Sequence, residues 1–441
     1  MDYRGQMSVT QPQPHTPEPD AETSDTEPAP KTIKAKKTSI KSAIQDNSAL
    51  SVMFGVVFIN LVGFGLLVPL LPFFAQQLQA DAWQVTLMFA AYSLGQFFAE
   101  PLWGSLSDKW GRKPVMVITV ASNVLFYILL AFSPNIWWAI LIRFFNGIGS
   151  GNVSCIQSYV SDMSEPHQRA SRMSLIGAAF SLGFVVGPVI GGVLVHEDAG
   201  MAGFQLPLFV AAGLSAVATL GVLFFVKESR QRTRTMAPPE KFRETFAQAR
   251  RNPVISRVIL ATLCYMAAFA GLEATFGLWA KARYNWHAHE ISLIFLFIGV
   301  TAALMQMVLT RPLVRRYGEA RVLAMGLIVF GLGFLLQGIN RLPFLITPLV
   351  MFATLGQAVI FASISALISK ATPPDRQGAM LGLNMATGAT ARIAGPVIAG
   401  FLFSLIGPDG PLWFGALMCF PAALLALKVE KVERRLAADT E

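Results

Sequence analysis

The stretch GSLSDKWGRKPV, residues 104 to 115, places a dense group of charges between two long apolar runs. Four charged side chains fall within six positions, namely Asp108, Lys109, Arg112 and Lys113. A hydrocarbon core excludes charge at this density, because one charged side chain there costs about 2.5–3.5 kcal/mol on insertion scales. The stretch, called here the charged turn, therefore predicts a short solvent-side connection between two membrane-spanning helices.

The charged turn has a second copy later in the chain. RPLVRRYGEARV, residues 311 to 322, aligns with it at an offset of 207 residues. GPVIGG at 187 to 192 likewise recurs as GPVIAG at 395 to 400, at an offset of 208. Nearly equal offsets at distant places indicate that the second half of the chain repeats the first. Arg315 stands where the copy of Asp108 is expected, so only the first half keeps the complete charged turn.

The composition indicates a membrane protein. Of 441 residues 54% are hydrophobic and 14% are charged, whereas about 25% are charged in soluble domains. Residues 51 to 428 divide into about twelve apolar runs, each near the ~20 residues that cross ~30 Å of hydrocarbon. We therefore predict an all-α integral membrane protein with 12 transmembrane helices in two pseudo-symmetric six-helix bundles.

The distribution of basic residues predicts orientation and domain limits. If both termini lie in the cytoplasm, the cytoplasmic segments hold 30 of the 35 Lys and Arg residues. The loops on the other side of the membrane hold three, and two lie within spans. This bias follows the positive-inside rule and explains the net charge of +9 without nucleic acid as a partner. Residues rich in Pro, Glu and Thr predict disorder before the first span. The predicted segments are a tail over 1–47, bundles over 48–227 and 253–428, a cytoplasmic linker over 228–252 and a second tail over 429–441.

The sequence shows no pattern typical of a metal site, a nucleotide-binding loop or a catalytic cluster. The three cysteines fall in different spans without metal-ligand spacing, and His287 and His289 have no further ligands nearby in sequence. No Gly-Lys-Ser/Thr phosphate loop occurs, so ATP is not the expected energy source. The spans also lack a nucleophile–base cluster. We expect no cofactor, no metal and no enzyme activity.

Four charged residues lie well inside predicted spans: Glu100, Arg143, Glu273 and Arg392. A lone charge is costly there, so each should face a partner or a water-filled cavity. Glu273 is either a proton carrier or a carboxylate held permanently by Arg392. Arg143 either lines the cavity near an acid or packs against carbonyl groups. Glu100, closer to the cytoplasmic end, either snorkels to water or attracts cationic substrate.

The spans expected to line a central cavity carry aromatic and amide side chains. Those expected to meet the substrate are Asn60, Phe64, Tyr92, Gln96, Tyr265, Phe269, Phe276 and Gln357. An adaptable, largely apolar lining suits hydrophobic and often cationic drugs. The alternative, a metabolite or sugar exporter of the same fold, should have a cavity richer in amides and charges.

The charged turn is interpreted as a gate, with a solvated topology-setting turn as the alternative. Asp108 and Arg112 lie four residues apart and can pair on a continuing helix, and Asp162 is a second candidate partner for Arg112. Gly187 and Pro188 should bend the fifth span, because proline removes a backbone donor. The expected gating residues are Gly104, Asp108, Arg112, Asp162, Gly187 and Pro188.

Together these motifs resemble the major facilitator superfamily over residues 50 to 428. The charged turn is similar to its loop 2–3 signature, and GPVIGG resembles the span-5 signature of its drug:proton antiporters. NLVGFGLLVPLLP, residues 60 to 72, is similar to their first span, and Arg143 with Gly147 and Gly151 matches their span-4 motif. The resemblance implies alternating access and proton-driven efflux. It also implies that Asp108 faces the start of span 11, near Gly378, and thereby bridges the two halves.

Within that family the chain resembles bacterial fluoroquinolone-type multidrug exporters and, more distantly, tetracycline exporters. The former place an essential acid in span 7, where this chain has Glu273. Asn60 replaces the span-1 aspartate of tetracycline exporters, and span 10 has no acid, with Val359 near the position of the second one. The predicted coupling residues are therefore Glu273, Arg143 and Arg392. We expect a monomeric, proton-coupled drug antiporter in the bacterial inner membrane.

Overall fold

The computed structural model describes residues 40–165, 168–229, 242–373 and 376–438, and these are almost entirely α-helical, without strands. Most of the predicted N-terminal tail and the centre of the predicted linker lie outside the described residues. Beside one 3-10 turn, Glu197–Ala199, the helices are α1 Ile40–Leu67, α2 Leu71–Gln77, α3 Ala82–Trp110, α4 Arg112–Ala131, α5 Ile136–Ser150, α6 Val153–Asp162, α7 Arg169–Leu194, α8 Ala202–Phe225, α9 Phe242–Arg251, α10 Pro253–Tyr284, α11 Ala288–Val308, α12 Thr310–Tyr317, α13 Glu319–Ile339, α14 Pro343–Lys370, α15 Gln377–Ile406 and α16 Gly410–Ala438.

Ten helical stretches of the described chain are long and apolar enough to cross a membrane. They become eleven if α1 and α2 form one broken span, so the twelve expected spans are not all recovered. One further long helix, α3, is not among these stretches. It has 29 residues, enough to cross ~30 Å of hydrocarbon. It packs against α5 on one side and α15 on the other. Protein neighbours on two sides let α3 carry polar residues such as Thr86 and Gln96, and these lower its hydropathy.

The predicted first span is not one straight helix. α1 ends at Leu67, α2 begins at Leu71, and the two helices are bent by 48°. Pro69 and Pro72 lie at the break. Proline has no backbone N–H and its ring clashes with the carbonyl four residues earlier, so the helix is interrupted here. By contrast, α7 and α15 continue through Pro188 and Pro396.

Glycines allow several helices to approach backbone to backbone. A Cβ at Gly187 of α7 would lie 2.6 Å from the Val62 carbonyl oxygen of α1. A Cβ at Gly95 of α3 would overlap the Phe144 carbonyl oxygen of α5. Such contacts let dispersion forces hold helices together where lipid offers no hydrophobic drive for association. The crossings of α1 with α7 and of α3 with α5 are therefore set by residues without a side chain.

Helices α1–α8, the N-terminal half, meet helices α10–α16, the C-terminal half, through α3 against α15 and α7 against α11. Trp83 stacks on Phe401 with ring centroids 6.4 Å apart, and Gly192 packs against Ser292. This end of the bundle is called here the closed face. At the other end, a Cβ at Gly378 of α15 would meet no atom within 4 Å. The two halves are thus in close contact at the closed face.

Candidate functional site

Arg143 of α5 is buried to 1% exposure inside the N-terminal half. Its Nη1 donates to Asn146 Oδ1 at 2.9 Å, and its guanidinium carbon lies 4.2 Å from the centroid of the Tyr92 ring. Its Nε has no hydrogen-bond partner, and no carboxylate of the described residues forms an ion pair with it. The aromatic face and the amide, rather than an acid or backbone carbonyls, stabilise this cation.

Asparagines hold Arg143 in place. Asn146 Nδ2 and Ser150 Oγ each donate to Asn123 Oδ1 at 2.9 Å. Asn123 Nδ2 in turn donates to Asn60 Oδ1 at 3.3 Å. The network joins α1, α4 and α5, and connected buried hydrogen bonds orient their members. Asn60 belongs to this network, as a member of the predicted set. Asn123 and Asn146 were not predicted from the sequence. Their amide side chains within apolar spans could have indicated them.

Glu273 of α10 is only partly buried. Among the described residues its carboxylate has no hydrogen bond and no ion pair within 4 Å. Arg392 of α15 lies close enough to interact with it electrostatically. The permanent pair considered from the sequence is therefore not formed in this conformation. A membrane carboxylate without a fixed partner can exchange a proton with any water that reaches it.

Arg392 also interacts electrostatically with Glu100 of α3, in the other half of the chain. This one cation thus interacts with two carboxylates that belong to opposite halves. Tyr92, Gln96 and Glu100 follow one another at four-residue spacing on one face of α3, and Gln96 Nε2 donates to the Tyr92 hydroxyl at 3.3 Å. The structure brings these polar residues to the junction of the halves.

The predicted aromatic lining forms separate groups. In the N-terminal half, Phe64 stacks on Tyr92 with centroids 5.2 Å apart. In the C-terminal half, Tyr265 stacks on Phe269 at 6.3 Å, and Gln357 lies next to the Tyr265 hydroxyl. Phe276 lies apart from both groups.

Phe276 is 4% exposed and packs against Trp279 at 5.7 Å and Phe295 at 6.4 Å. These neighbours belong to α10 and α11. Adjacent Gly277 packs against Pro72 and Phe73 of the N-terminal half. In this conformation Phe276 is a packing residue near the closed face, because the meeting of the halves covers its part of α10.

A small apolar cavity lies apart from these groups, beside the break between α1 and α2. It is lined by residues such as Leu70, Leu130 and Phe204. None of its lining residues was predicted to meet substrate.

The charged turn lies at the end opposite the closed face. Arg112 Nη1 lies 2.6 Å from Asp108 Oδ1, and its Nε lies 3.2 Å from Asp162 Oδ2. Arg112 Nη1 also donates to Ser107 Oγ at 2.6 Å, and the arginine is 6% exposed. Asp108, Arg112 and Asp162 therefore form one cluster, and Gly104 packs against Ser154 beside it. Gly378 is not in contact with Asp108, because no atom lies within 4 Å of its Cβ position.

Glu228, which follows the end of α8, was missed in the sequence. Its carboxylate oxygens accept from the backbone N–H groups of Arg112, at 2.8 Å, and Lys113, at 3.1 Å. These are the first residues of α4, so Glu228 caps the helix and lies at the positive end of its dipole. Gly111 has φ of 110°, and a Cβ there would collide with Glu228. The capping carboxylate thus explains why the charged turn contains this glycine.

Residues 53–300 and 258–441 match the family model described as Major Facilitator Superfamily. The chain belongs to the major facilitator superfamily. It is 28% identical over 393 residues to tetracycline resistance protein class C of Escherichia coli, covering 86% of this chain and 97% of that protein. It is 29% identical over 363 residues to human major facilitator superfamily domain-containing protein 10, covering 77% of each. The chain is thus a multi-pass membrane protein related to transporters.

Solved structures agree with this assignment. The human organic anion transporter MFSD10 superposes with a TM-score of 0.65 at 25% identity, covering 86% of this chain and 99% of that one. A bacterial homologue of the lysosomal transporter Spinster, in an inward-facing occupied conformation, gives a TM-score of 0.72 at 12% identity, covering 87% and 96%. The likeness to the Spinster homologue shows a shared fold only.

Proposed function

We propose that this protein is a proton-coupled antiporter that exports hydrophobic drugs by alternating access. The observation that carries the proposal is Glu273, a membrane carboxylate without a fixed partner at the junction of the halves. Similarity over 97% of a tetracycline resistance protein supports export of a drug-like molecule. The aromatic groups around Tyr92 and Tyr265 supply adaptable contacts for such a cargo.

The proposal includes a topology of twelve spans in two six-helix bundles. α3 is the span that hydropathy leaves out, and α1 with α2 is the broken first span. Both termini lie in the cytoplasm of a bacterial inner membrane, with the bundles over 48–227 and 253–428 joined by a cytoplasmic linker. The closed face is then the outer face, and the charged turn lies at the cytoplasmic side. The protein acts as a monomer.

Glu273 acts as the proton carrier. Facing the cytoplasm it loses its proton and drug binds; facing outward it is protonated as drug leaves. Arg392 interacts electrostatically with this carboxylate, and Arg143, in the N-terminal half, is the second cation that we assign to coupling. The driving force is about 2.3 kcal/mol per charge per 100 mV of membrane potential plus about 1.4 kcal/mol per pH unit. One proton therefore supports a gradient of a few powers of ten for a neutral drug.

A drug-accumulation panel tests this function. Cells that lack their own pumps express the protein, and intracellular drug is measured with and without a protonophore. We expect lower accumulation of at least one hydrophobic drug, with the difference lost when the protonophore is present. Export that persists without a proton gradient would contradict proton coupling, and equal accumulation across the panel would contradict drug efflux.

Organic anions are the second candidate cargo, a specific form of the metabolite-exporter alternative. Arg143 is a buried cation without a carboxylate partner in the described part of the chain. Human MFSD10, which the chain resembles at 25% identity, is described as an organic anion transporter. Fluorescein and rhodamine 123 distinguish the candidates, because they share a xanthene scaffold and carry opposite charges. Export of fluorescein alone would favour an anionic cargo, and export of rhodamine 123 alone would contradict it.

A further inference from the structure

Glu197 joins the two halves at the closed face. It lies in the 3-10 turn between α7 and α8, yet its carboxylate accepts a hydrogen bond from the Ala288 backbone N–H of α11. The same carboxylate lies 3.1 Å from His287 Nδ1. The Glu197 side chain is only 16% exposed, so water competes little for these bonds. A residue of the N-terminal half thus caps a helix of the C-terminal half.

This contact is suited to a closed state. The first N–H groups of a helix have no partner inside it, and they form the positive end of the helix dipole. A carboxylate there makes charge-assisted hydrogen bonds, which are about twice as strong as neutral ones. When the halves part at this face, Ala288 loses an acceptor that its own half does not supply. The stabilisation is therefore present only while the closed face is shut.

We propose that Glu197 is the latch of the closed face, the residue whose bonds to α11 set how readily that face opens during transport. The inference rests on alternating access, and it does not depend on which molecule is carried. Two further hydrogen bonds cross the same face, from Lys281 Nζ to Gln76 Oε1 at 2.7 Å and between His289 Nδ1 and the Gly192 carbonyl oxygen at 3.3 Å. Glu197 differs from them because it satisfies a helix terminus.

The same helix end contains a matched control. Glu290 Oε2 accepts from the His287 backbone N–H at 2.9 Å, so it also caps α11. Both residues of this bond belong to α11 or its cap, and the bond survives when the halves part. Glu290→Gln therefore removes a capping charge from α11 while the bond from Ala288 to Glu197 stays in place. The pair Glu197 and Glu290 separates a latch from ordinary helix capping.

A buried reporter cysteine measures opening. Ser292 is 2% exposed and packs against Gly192 of the other half, so Ser292→Cys reacts only when the closed face opens. A membrane-impermeant maleimide is added to one side of the membrane at a time. Protein without the reporter gives the background from Cys155, Cys264 and Cys419. We expect Glu197→Ala to raise labelling from the Glu197 side about tenfold, which corresponds to about 1.4 kcal/mol.

Graded variants keep the test decisive. Glu197→Gln keeps a neutral acceptor and should raise labelling less than Glu197→Ala, whereas Glu290→Gln should leave it unchanged. If Glu197→Ala does not fold, the Gln variant still provides the comparison. Equal labelling in the Glu197 and Glu290 variants would overturn the proposal, and so would a rise from both sides of the membrane, which indicates general loosening. The assay needs no transported drug, so failure of the drug panel would not affect it.

Discussion

At the residue scale, three charges on the long apolar helices have three different surroundings. Arg143 is fixed by Asn146 and the Tyr92 ring, whereas Glu273 has no bond of that kind in the described chain. Arg392 interacts electrostatically with both Glu273 and Glu100. A fixed cation is suited to a structural or cargo-binding role, and a carboxylate without a fixed partner is suited to proton exchange.

Glu273→Gln tests that distinction. Glutamine resembles the protonated acid in shape but cannot release a proton, so uphill export should stop while drug binding and passive exchange continue. Transport is measured in proteoliposomes with an imposed pH gradient, and drug exchange is measured without one. Glu100→Gln, which removes the other carboxylate near Arg392, is the comparison. Uphill export by the Glu273 variant would make this residue structural.

Asp108→Asn tests the cluster in the charged turn. The substitution removes the charge that lies 2.6 Å from Arg112 but leaves Asp162 and Ser107 as partners. We expect slower export, by about tenfold, with normal membrane insertion, because the ion pair is proposed to act in gating. Export rate is compared at equal protein level, and Asp198→Asn, an exposed acid near the closed face, is the control. Unchanged export would reduce the charged turn to a topology signal.

At the element scale, helix ends decide much of the geometry. α4 begins where Glu228 caps it, and α10 begins where Asn252 Oδ1 accepts from Val254 N at 2.9 Å and Ile255 N at 3.2 Å. An uncapped helix end leaves N–H groups unsatisfied, which costs about 0.5–2 kcal/mol. These caps fix where each span starts relative to the charged and aromatic residues that it carries.

Gly111→Ala tests the cap of α4. Alanine at φ of 110° is strained, and its Cβ would displace Glu228 from the helix end. We expect a loss of about 2 kcal/mol in stability, seen as a lower midpoint of thermal unfolding in detergent. Gly213→Ala in α8 is the matched control, because a Cβ there meets nothing within 4 Å and alanine favours helix. Equal midpoints for the two variants would contradict the account of the Glu228 cap.

At the scale of the whole molecule, the halves touch along α3 with α15 and α7 with α11 and hold the closed face shut. Among the described residues, the hydrogen bonds across this face are those of Gln76, Glu197 and His289, and packing such as Trp83 on Phe401 adds to them. Packed interfaces have discrete arrangements rather than a continuous range. This suits a protein whose halves rock between two states.

A cross-link across the closed face tests whether it must open. Gln76 and Lys281 lie on opposite halves with side chains 2.7 Å apart, so Gln76→Cys with Lys281→Cys can be joined by a short thiol reagent. Cross-linking should abolish export, and cleavage of a reducible linker should restore it. Each single-cysteine variant treated in the same way is the control. Export by the cross-linked protein would show that this face need not open.

The sequence by itself determined the helical class, the membrane setting and the family, because these depend on composition, on run length and on local motifs such as the charged turn. It also selected Arg143, Glu273 and Arg392, since charge inside apolar runs is visible without a structure. The twelve spans expected from the sequence are recovered only as ten or eleven by hydropathy, because α3 carries polar residues against two protein neighbours.

Only the tertiary structure decided which residues meet. Asn123, Glu228 and Glu197 make bonds to residues 63 to 116 positions away, and no local pattern encodes such distances. The burial of Phe276 at 4% exposure was likewise not visible in the sequence, because its exposure depends on how the halves come together. Pro69 and Pro72 were visible in the sequence, but whether they break a span or only bend it depends on the packing of α2 against its neighbours. Composition and local pattern are properties of the chain, whereas contact between distant side chains follows from how helices pack.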